Sequence, residues 1–352
     1  MDLHAEVARL VRLSEPGVVT LTLDVSKSGA LPPATRVFVK DEALPKVADA
    51  KVAARVRRFI ESDLRRETNG LYLAAGKSVW AALQLAVPLR NFAHVGSAPY
   101  VAPLLEAAAR SARAHVVRIS TKGAVLHEVE LGVWREVDRI EPREPSEKSA
   151  GRRNRHDEAA KAADVLVRDA GKRVAALAGK SGTVLVVGDH ECFPALREFV
   201  PSAVYVGATP RSEKELADRA ELALDRAADA RVEHELLEFH DRRAQGHLVA
   251  IGPREVLEQM SAGRAARIFL SAGDPVPGVA CASCGSRYPE ARASCEYCDG
   301  APAAASMTQE VIAHALAHPP LAITFVPARE RWLRDIGGMA ALLGEKSART
   351  KR

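Results

Sequence analysis

The sequence has 352 residues, 47% of them hydrophobic, with 50 Lys and Arg against 45 Asp and Glu and a formal net charge of +5. This length exceeds one ordinary core and predicts two or three domains. The apolar content excludes wholesale disorder, and no apolar run approaches the length that spans a bilayer. The opening MDLHAEVARLVRL carries acidic residues and no apolar core with a cleavage site. It does not read as a signal peptide, so a cytoplasmic protein that does not engage membranes is expected.

Residues 1–93 form the first segment. VVTLTLDV (18–25) and RVFVK (36–40) read as short strands, an arginine-rich stretch over about 46–68 reads as a helix, Asn69-Gly70 marks a turn, and LYLAAG (71–76) with VWAALQLAV (79–87) reads as a strand pair. This predicts an N-terminal α+β domain. Residues 94–209 form the second segment. HVGSAPYVAPLLEAAARSA gives a loop and a helix. AHVVRIS (114–120), AVLHEVEL (124–131) and VWREVDRIE (133–141) alternate as an antiparallel meander with one buried face. DEAAKAADVLVRDAGKRVAALA (157–178) places apolar residues at 159, 163, 166, 167, 170, 174 and 177, one helical stripe. TVLVVGD (183–189) reads as a buried strand, followed by a short helix and the strand AVYVGA (203–208). A mixed sheet with helices packed on it is expected. Residues 210–345 open on a helix with Ser212 and Glu215 at capping-box spacing. They continue with β-α-β over 247–273, a further helix and the strand LAITFVP (321–327), which predicts a layered α/β domain. Residues 346–352 are a basic tail. The chain thus reads as α/β and α+β, multidomain.

Charge is unevenly distributed. Residues 51–66 hold Lys51, Arg55, Arg57, Arg58, Arg65 and Arg66 against Glu61 and Asp63. Residues 143–156 hold Arg143, Lys148, Arg152, Arg153 and Arg155 against Glu144 and Glu147, with His156 adjoining. Two separate basic clusters fit a polyanion surface, although a solvated face accounts for either one alone.

Four of the five cysteines, Cys281, Cys284, Cys295 and Cys298, stand as C-x2-C, ten residues, C-x2-C. Two such hooks bring four thiolates to one tetrahedral ion, zinc before iron. A disulfide pair is disfavoured by a reducing compartment. Four thiolates fill the coordination sphere, so the ion is structural, and the segment reads as a compact zinc ribbon inserted in a β-α-β pattern. Cys192 reads as a buried, inert thiol. Walker, Rossmann, G-x-S-x-G and H-E-x-x-H motifs are absent. Asp189 and His190 at a strand end read as helix-capping residues, and His314 with His318 reads as an exposed helical pair without a third metal ligand. No catalytic constellation is evident.

Several stretches resemble the archaeo-eukaryotic class-one release factor and Pelota superfamily, in its bacterial branch. PYVAPLLEAAARSARAHVVRISTKGAVLHEVELGVWREV is similar to the opening of the family's middle domain. AIGPREVLEQMSAGRAARIFLS resembles the β-α-β core of its C-terminal domain, and DIGGMAALLG its terminal glycine pair, here Gly337 and Gly338. The resemblance covers roughly residues 94–344. It implies an RNase H-like middle domain and a three-layer, ribosomal-protein-like C-terminal domain with the zinc ribbon inserted, as in archaeal members. In true release factors the loop between meander and helix carries Gly-Gly-Gln. Here that loop is PSEKSAGRRNRHDEAAK, with Gly151 alone and no glutamine. The resemblance implies a ribosome-binding factor, acting in the A site without chemistry of its own, in hibernation (as Balon-type factors do) or rescue. Lys148, Arg152, Arg153, Arg155 and His156 would contact ribosomal RNA. A translational GTPase would dock on the C-terminal domain, tRNA is a possible further partner, and residues 1–93 would dock on the ribosome. Two alternatives stay open: peptidyl-tRNA hydrolysis with His156 orienting water, and a zinc-stabilised protein or RNA adaptor.

Overall fold

The computed structural model of the chain describes residues 3–25, 30–141, 152–179 and 182–344, those from 152 to 160 by their backbone alone. The chain divides into two compact units, residues 1–109 with 230–352 and residues 110–229.

Unit one begins with α1 (Leu3–Val11), β1 (Val18–Asp24), α2 (Pro33–Phe38), α3 (Ala50–Ser62), β2 (Gly70–Ala75), β3 (Trp80–Leu85), β4 (Phe92–Gly96) and α4 (Ala102–Arg110). Its strands make an antiparallel sheet in the order β3-β2-β1-β4. Val52, Val56 and Ile60 recur every four residues, so α3 presents one apolar stripe. That stripe packs on Leu21, Leu23, Leu71 and Leu73 of the sheet. Asp49 caps α3, its carboxylate accepting from the N–H of Lys51 at 2.8 Å and of Val52 at 3.2 Å. Buried Thr22 donates to the carbonyl of Arg90 at 2.7 Å, and buried Thr20 accepts from the N–H of Tyr100 at 2.8 Å, so neither hydroxyl is stranded.

Two local expectations are corrected here. RVFVK is not a strand: α2 ends at Phe38 and a π-helical turn covers Val39–Ala43. Pro32 and Pro33 preset a helical first turn, and Val39 and Ala43, one turn apart, bury together in the core. Tertiary packing outweighs the β preference of valine. His94–Gly96, expected as loop, form the end of β4, which pairs with β1.

Glu15 clamps the turn between β2 and β3. Its carboxylate accepts from Ser78 Oγ at 2.5 Å and from the N–H groups of Lys77, Ser78 and Val79 at 2.5, 2.8 and 3.0 Å. The Ser78 hydroxyl and these N–H groups hold its pKa at about 2, below the ordinary 4.5. A depressed carboxyl stabilises the fold above its unfolded pKa, and that contribution is lost as pH falls toward the folded value. Glu15→Gln therefore flattens the loss of stability between about pH 4.5 and 2. Denaturant midpoints of both proteins across that window check this, and parallel curves would refute it.

Unit two holds β5 (Ala114–Ser120), β6 (Gly123–Glu130), β7 (Val133–Ile140), α5 (Arg152–Ala178), β8 (Thr183–Gly188), α6 (Phe193–Arg197), β9 (Val204–Gly207) and the first part of α7 (Glu213–Ala244). The sheet runs β7-β6-β5-β8-β9, with the meander antiparallel and β5, β8 and β9 parallel. The β6–β7 hairpin turns on Leu131 and Gly132, both with positive φ, 49° and 74°. Leu166, Val167, Ala170 and Val174 of α5 cover Val117, Ile119, Leu126 and Val186 on one face. Leu216 and Ala220 of α7 cover Val116, Leu185 and Val187 on the other. The unit is three-layered. Leu177, the last residue of the expected stripe, is exposed. Ser212 accepts from the N–H of Glu215 at 3.1 Å, while Glu215 accepts from the N–H of Arg211 at 2.7 Å. This is a capping box whose return bond falls one residue early.

Unit one resumes within α7 and continues with β10 (Val249–Ile251), α8 (Gly252–Ser261), β11 (Ala265–Ser271), β12 (Pro277–Cys281), β13 (Arg287–Tyr288), β14 (Pro302–Ser306), α9 (Met307–Ala317), β15 (Ala322–Val326), α10 (Arg331–Asp335) and β16 (Met339–Leu343). A second sheet runs β10-β16-β11-β15. β10 and β11 are the ends of the expected β-α-β unit, and β16 lies antiparallel between them. Between β11 and its parallel partner β15 the chain inserts a three-stranded sheet, β13-β12-β14. The glycine pair forms the turn into β16, with φ of +92° at Gly337 and +80° at Gly338. A Cβ at Gly337 would lie 2.7 Å from Pro253 Cδ, so both backbone conformation and space require glycine there.

Candidate metal centre and basic surfaces

The three-stranded insert is built around its cysteines. Two matching knuckles form. The carbonyl of Cys281 accepts from the N–H of Gly285 at 2.9 Å, and the carbonyl of Cys295 accepts from the N–H of Asp299 at 3.0 Å. The N–H of Cys281 donates to the carbonyl of Ser286 at 2.8 Å, and that of Cys295 to the carbonyl of Gly300 at 2.9 Å. Gly285 and Asp299 both take left-handed conformations, φ +73° and +55°. The sequence pattern C-x2-C-G thus recurs structurally as C-x2-C-D, since aspartate tolerates that region better than most residues.

The knuckles bring the four Sγ atoms within 4.8 Å of one another. Cys281 and Cys298 stand 3.5 Å apart, and Cys284 and Cys295 3.4 Å. A disulfide needs about 2.05 Å, and all four thiols are free. A tetrahedral ion with bonds of about 2.3 Å places its sulfurs roughly 3.8 Å apart. The cluster fits a bound metal, and among the described residues it is the one gathering of three or more His, Cys, Asp or Glu side chains that does. The Tyr288 hydroxyl lies 3.2 Å from Cys295 Sγ. That hydroxyl and the N–H of Tyr297 lower the Cys295 thiol to about 5, while, against the lowering pull of the Gly300 N–H, the neighbouring cysteine thiols raise Cys298 to about 12. The cluster therefore loses a first proton readily, and an ion would displace the others. Tyr288 is a site residue that sequence reasoning missed, because nothing in a C-x2-C pattern marks the strand between the hooks. Arg287 ties the insert to Glu310 of α9 at 2.8 Å, and Arg254 of α8 reaches Glu290 at 2.8 Å.

Of the five residues expected to meet RNA, Lys148 lies outside the described residues. Arg152, Arg153, Arg155 and His156 do not lie in a loop. They occupy the opening turns of α5, which starts five residues earlier than its apolar stripe foretold. No acidic residue stands in that first turn. Cations there add to the positive end of the helix dipole, an arrangement that an anion relieves.

The remaining candidates resolve into structural roles. Asp189 stands at the N-cap position of the following helical turn, and its carbonyl accepts from the N–H of Cys192 at 3.1 Å, but its side chain makes no capping bond. Its carboxylate accepts from the N–H of Thr121 at 3.2 Å. His190 packs edge-on against Tyr205 at 5.0 Å, and Tyr205 donates to the carbonyl of Gly188 at 2.9 Å. Cys192 is buried, and burial, reinforced by Asp189, raises its thiol pKa. His314 and His318 stack at 4.2 Å. His314 is half-buried rather than exposed, and burial lowers its pKa.

Residues 99–231, nearly coincident with unit two, match the family described as bacterial archaeo-eukaryotic release factor family 10. No curated protein matches the chain. Among solved structures the chain is similar to Archaeoglobus fulgidus Pelota, at 14% identity over 97% of this chain and 92% of that one, with a TM-score of 0.40. It is similar to a ribosome-bound archaeal Pelota described with ABCE1, at 13% identity over 97% and 94%, with a TM-score of 0.45. It is also similar to S. cerevisiae Dom34, a translation termination-like factor that interacts with Hbs1, at 8% identity over 94% and 97%, with a TM-score of 0.43.

Proposed function

We infer the role of this chain from the family that its residues 99–231 match, the bacterial archaeo-eukaryotic release factors, and propose that it is a ribosome-binding translation factor of the release-factor and Pelota type. Its task on this reading is to occupy the A site of idle or stalled ribosomes, in hibernation or rescue, without hydrolysing peptidyl-tRNA. One observation carries the reading. Within the matched segment, the connection from β7 to α5 is EPREPSEKSAG, with neither a glycine pair nor a glutamine. The opening of α5, RRNRH, supplies cations instead. Guanidinium groups pair with phosphates and stack on exposed bases, so Lys148, Arg152, Arg153, Arg155 and His156 would hold ribosomal RNA where relatives with Gly-Gly-Gln carry out chemistry.

The four cysteines would bind zinc. With every coordination position taken by sulfur, the ion has no place for water or substrate and serves the fold. Residues 1–93 would dock on the ribosome, and the C-terminal part of unit one would receive a translational GTPase, beside tRNA where the bound state carries it. The protein would act in the cytoplasm.

Co-sedimentation of the purified protein with 70S ribosomes tests the proposal. Binding is expected when the A site is vacant and is lost when tRNA fills it. Alanine at Arg152, Arg153 and Arg155 together should weaken binding at least tenfold and flatten its dependence on salt by about two units of log-log slope, since each lost phosphate contact removes about 0.7. Absence of binding to both ribosome forms, with an elongation GTPase supplied, would overturn the reading. Peptide release from stalled complexes that disappears in His156→Ala would replace it with hydrolysis.

A further inference from the structure

A second cationic surface lies on unit one, in a segment outside the family match. Arg55, Arg57 and Arg58 project from the exposed side of α3, and Arg65 and Arg66 from the turn just after it. Some arginines of the unit meet carboxylates: Arg9 meets Glu6 at 2.6 Å, Arg242 meets Glu238 at 2.8 Å, and Arg254 meets Glu290 at 2.8 Å. Others among the described residues, such as Arg12, Arg243 and Arg264, do not, but they stand singly rather than in a cluster. No carboxylate pairs with any of these five arginines among the described residues. Five arginines within residues 55–66, against Glu61 and Asp63, leave a net positive surface whose self-repulsion a bound anion would relieve.

The surface is also shaped. Arg55 lies over the indole of Trp80, its guanidinium carbon 3.8 Å from the ring centroid. Trp80 is in turn held edge-on by Phe59 at 5.7 Å. Stacking uses the guanidinium face and leaves its N–H edge for an oxygen ligand. At the other end of β3, Gln84 accepts from the N–H of Arg65 and from Thr68 Oγ1, both at 2.7 Å, and donates to the carbonyl of Asp63 at 3.0 Å. These bonds fix the turn that bears Arg65 and Arg66. Trp80 and Gln84 share one face of the strand, roughly 13 Å apart, with Arg55 stacked at one end and the turn that bears Arg65 and Arg66 at the other. No large apolar side chain is exposed on α3, which leaves a bilayer nothing to bury.

We propose that the α3 face with the Arg55–Trp80 stack is a second RNA-binding surface, which grips the phosphate backbone of a single-stranded or looped segment. That the ligand is RNA rests on the ribosome reading. The grip itself rests on the unpaired arginines and the stack.

Fluorescence anisotropy of the full chain with a labelled 12-nucleotide single-stranded RNA tests it. Arg55→Gln/Arg57→Gln/Arg58→Gln should weaken binding at least tenfold and reduce the log-log salt slope by about 2. Arg55→Lys should keep the slope yet weaken binding several-fold through loss of the planar stack. Circular dichroism melts confirm that the variants fold. Unchanged RNA affinity and slope in the triple variant would overturn the inference. So would equal competition by polyglutamate, or binding of phosphatidylglycerol vesicles in place of RNA. The two readings separate cleanly. RNA binding lost in the α3 variant, in a protein that ignores ribosomes, refutes only the ribosome reading. Ribosome binding with an unaltered RNA response refutes only this surface.

Discussion

Cys295→Ser should abolish stoichiometric metal binding and unfold the insert spanning residues 277–306. The reason is the size of its core: Cys281, Tyr288 and Cys295 are its buried residues, with Val279 packed against them. So few apolar atoms cannot order a three-stranded sheet, and small modules of this kind draw their stability from the ion. Structural zinc sites have apparent binding free energies of about 10–16 kcal/mol, so loss of one of the four ligands should have a large effect on the insert. Cys295 is the most informative choice because it is fully buried and carries the Tyr288 contact. Elemental analysis should find one zinc per native chain and a substoichiometric amount in the variant, with new proteolytic cleavage confined to the insert. Native protein that is purified from zinc-replete cells without metal, and still resists protease there, would show that the cysteines do not form a metal centre.

Phe239→Ala should cost about 3–5 kcal/mol of stability in unit one. Phe239 is fully buried on α7. It meets Phe269 of β11 edge-on at 5.5 Å and stacks near-parallel on Trp332 of α10, also at 5.5 Å. Leu236, Val326, Leu333, Ala340 and Leu342 complete the cluster. Truncation leaves a cavity among rigid strands that cannot collapse to fill it. The neighbouring Leu237 is 61% exposed, and its alanine variant should change stability by no more than about 0.5 kcal/mol. Denaturant unfolding with hydrogen exchange on β11 and β16 distinguishes the two. A loss below about 1 kcal/mol at Phe239 would contradict the packing described.

Strong periodic signals carried most of what the sequence revealed. The β5–β6–β7 meander alternates apolar and polar residues and turns on a Leu-Gly pair, so its order and direction were legible. Spacing alone gathered the four cysteines. Signals failed where backbone form depends on distant partners. RVFVK has the composition of a strand, but the prolines before it preset a helical turn and Val39 alone of its residues is buried, in the core of the first sheet. The start of α5 was hidden because its opening turns are charged and contribute nothing to an apolar stripe. β16 was not legible as a strand at all, and no local pattern in MAALL says that it pairs between β10 and β11. The knuckle role of Asp299 was readable in principle, since it stands where Gly285 stands after the first hook.

The placement of β16 has a consequence for biosynthesis. Unit two is contiguous in the chain, whereas unit one is assembled from segments on both sides of it. While the ribosome makes the intervening residues, at about 5–20 per second, the first half of unit one waits on the order of ten seconds for its second half. The sheet of that second half stays open longer still, because the strand that joins β10 to β11 is translated after both. Until residue 343 emerges, two strand edges stand unpaired, the kind of template on which nascent chains aggregate. The molecule's dependence on chaperones should therefore be concentrated in the interval between the emergence of β11 and that of β16.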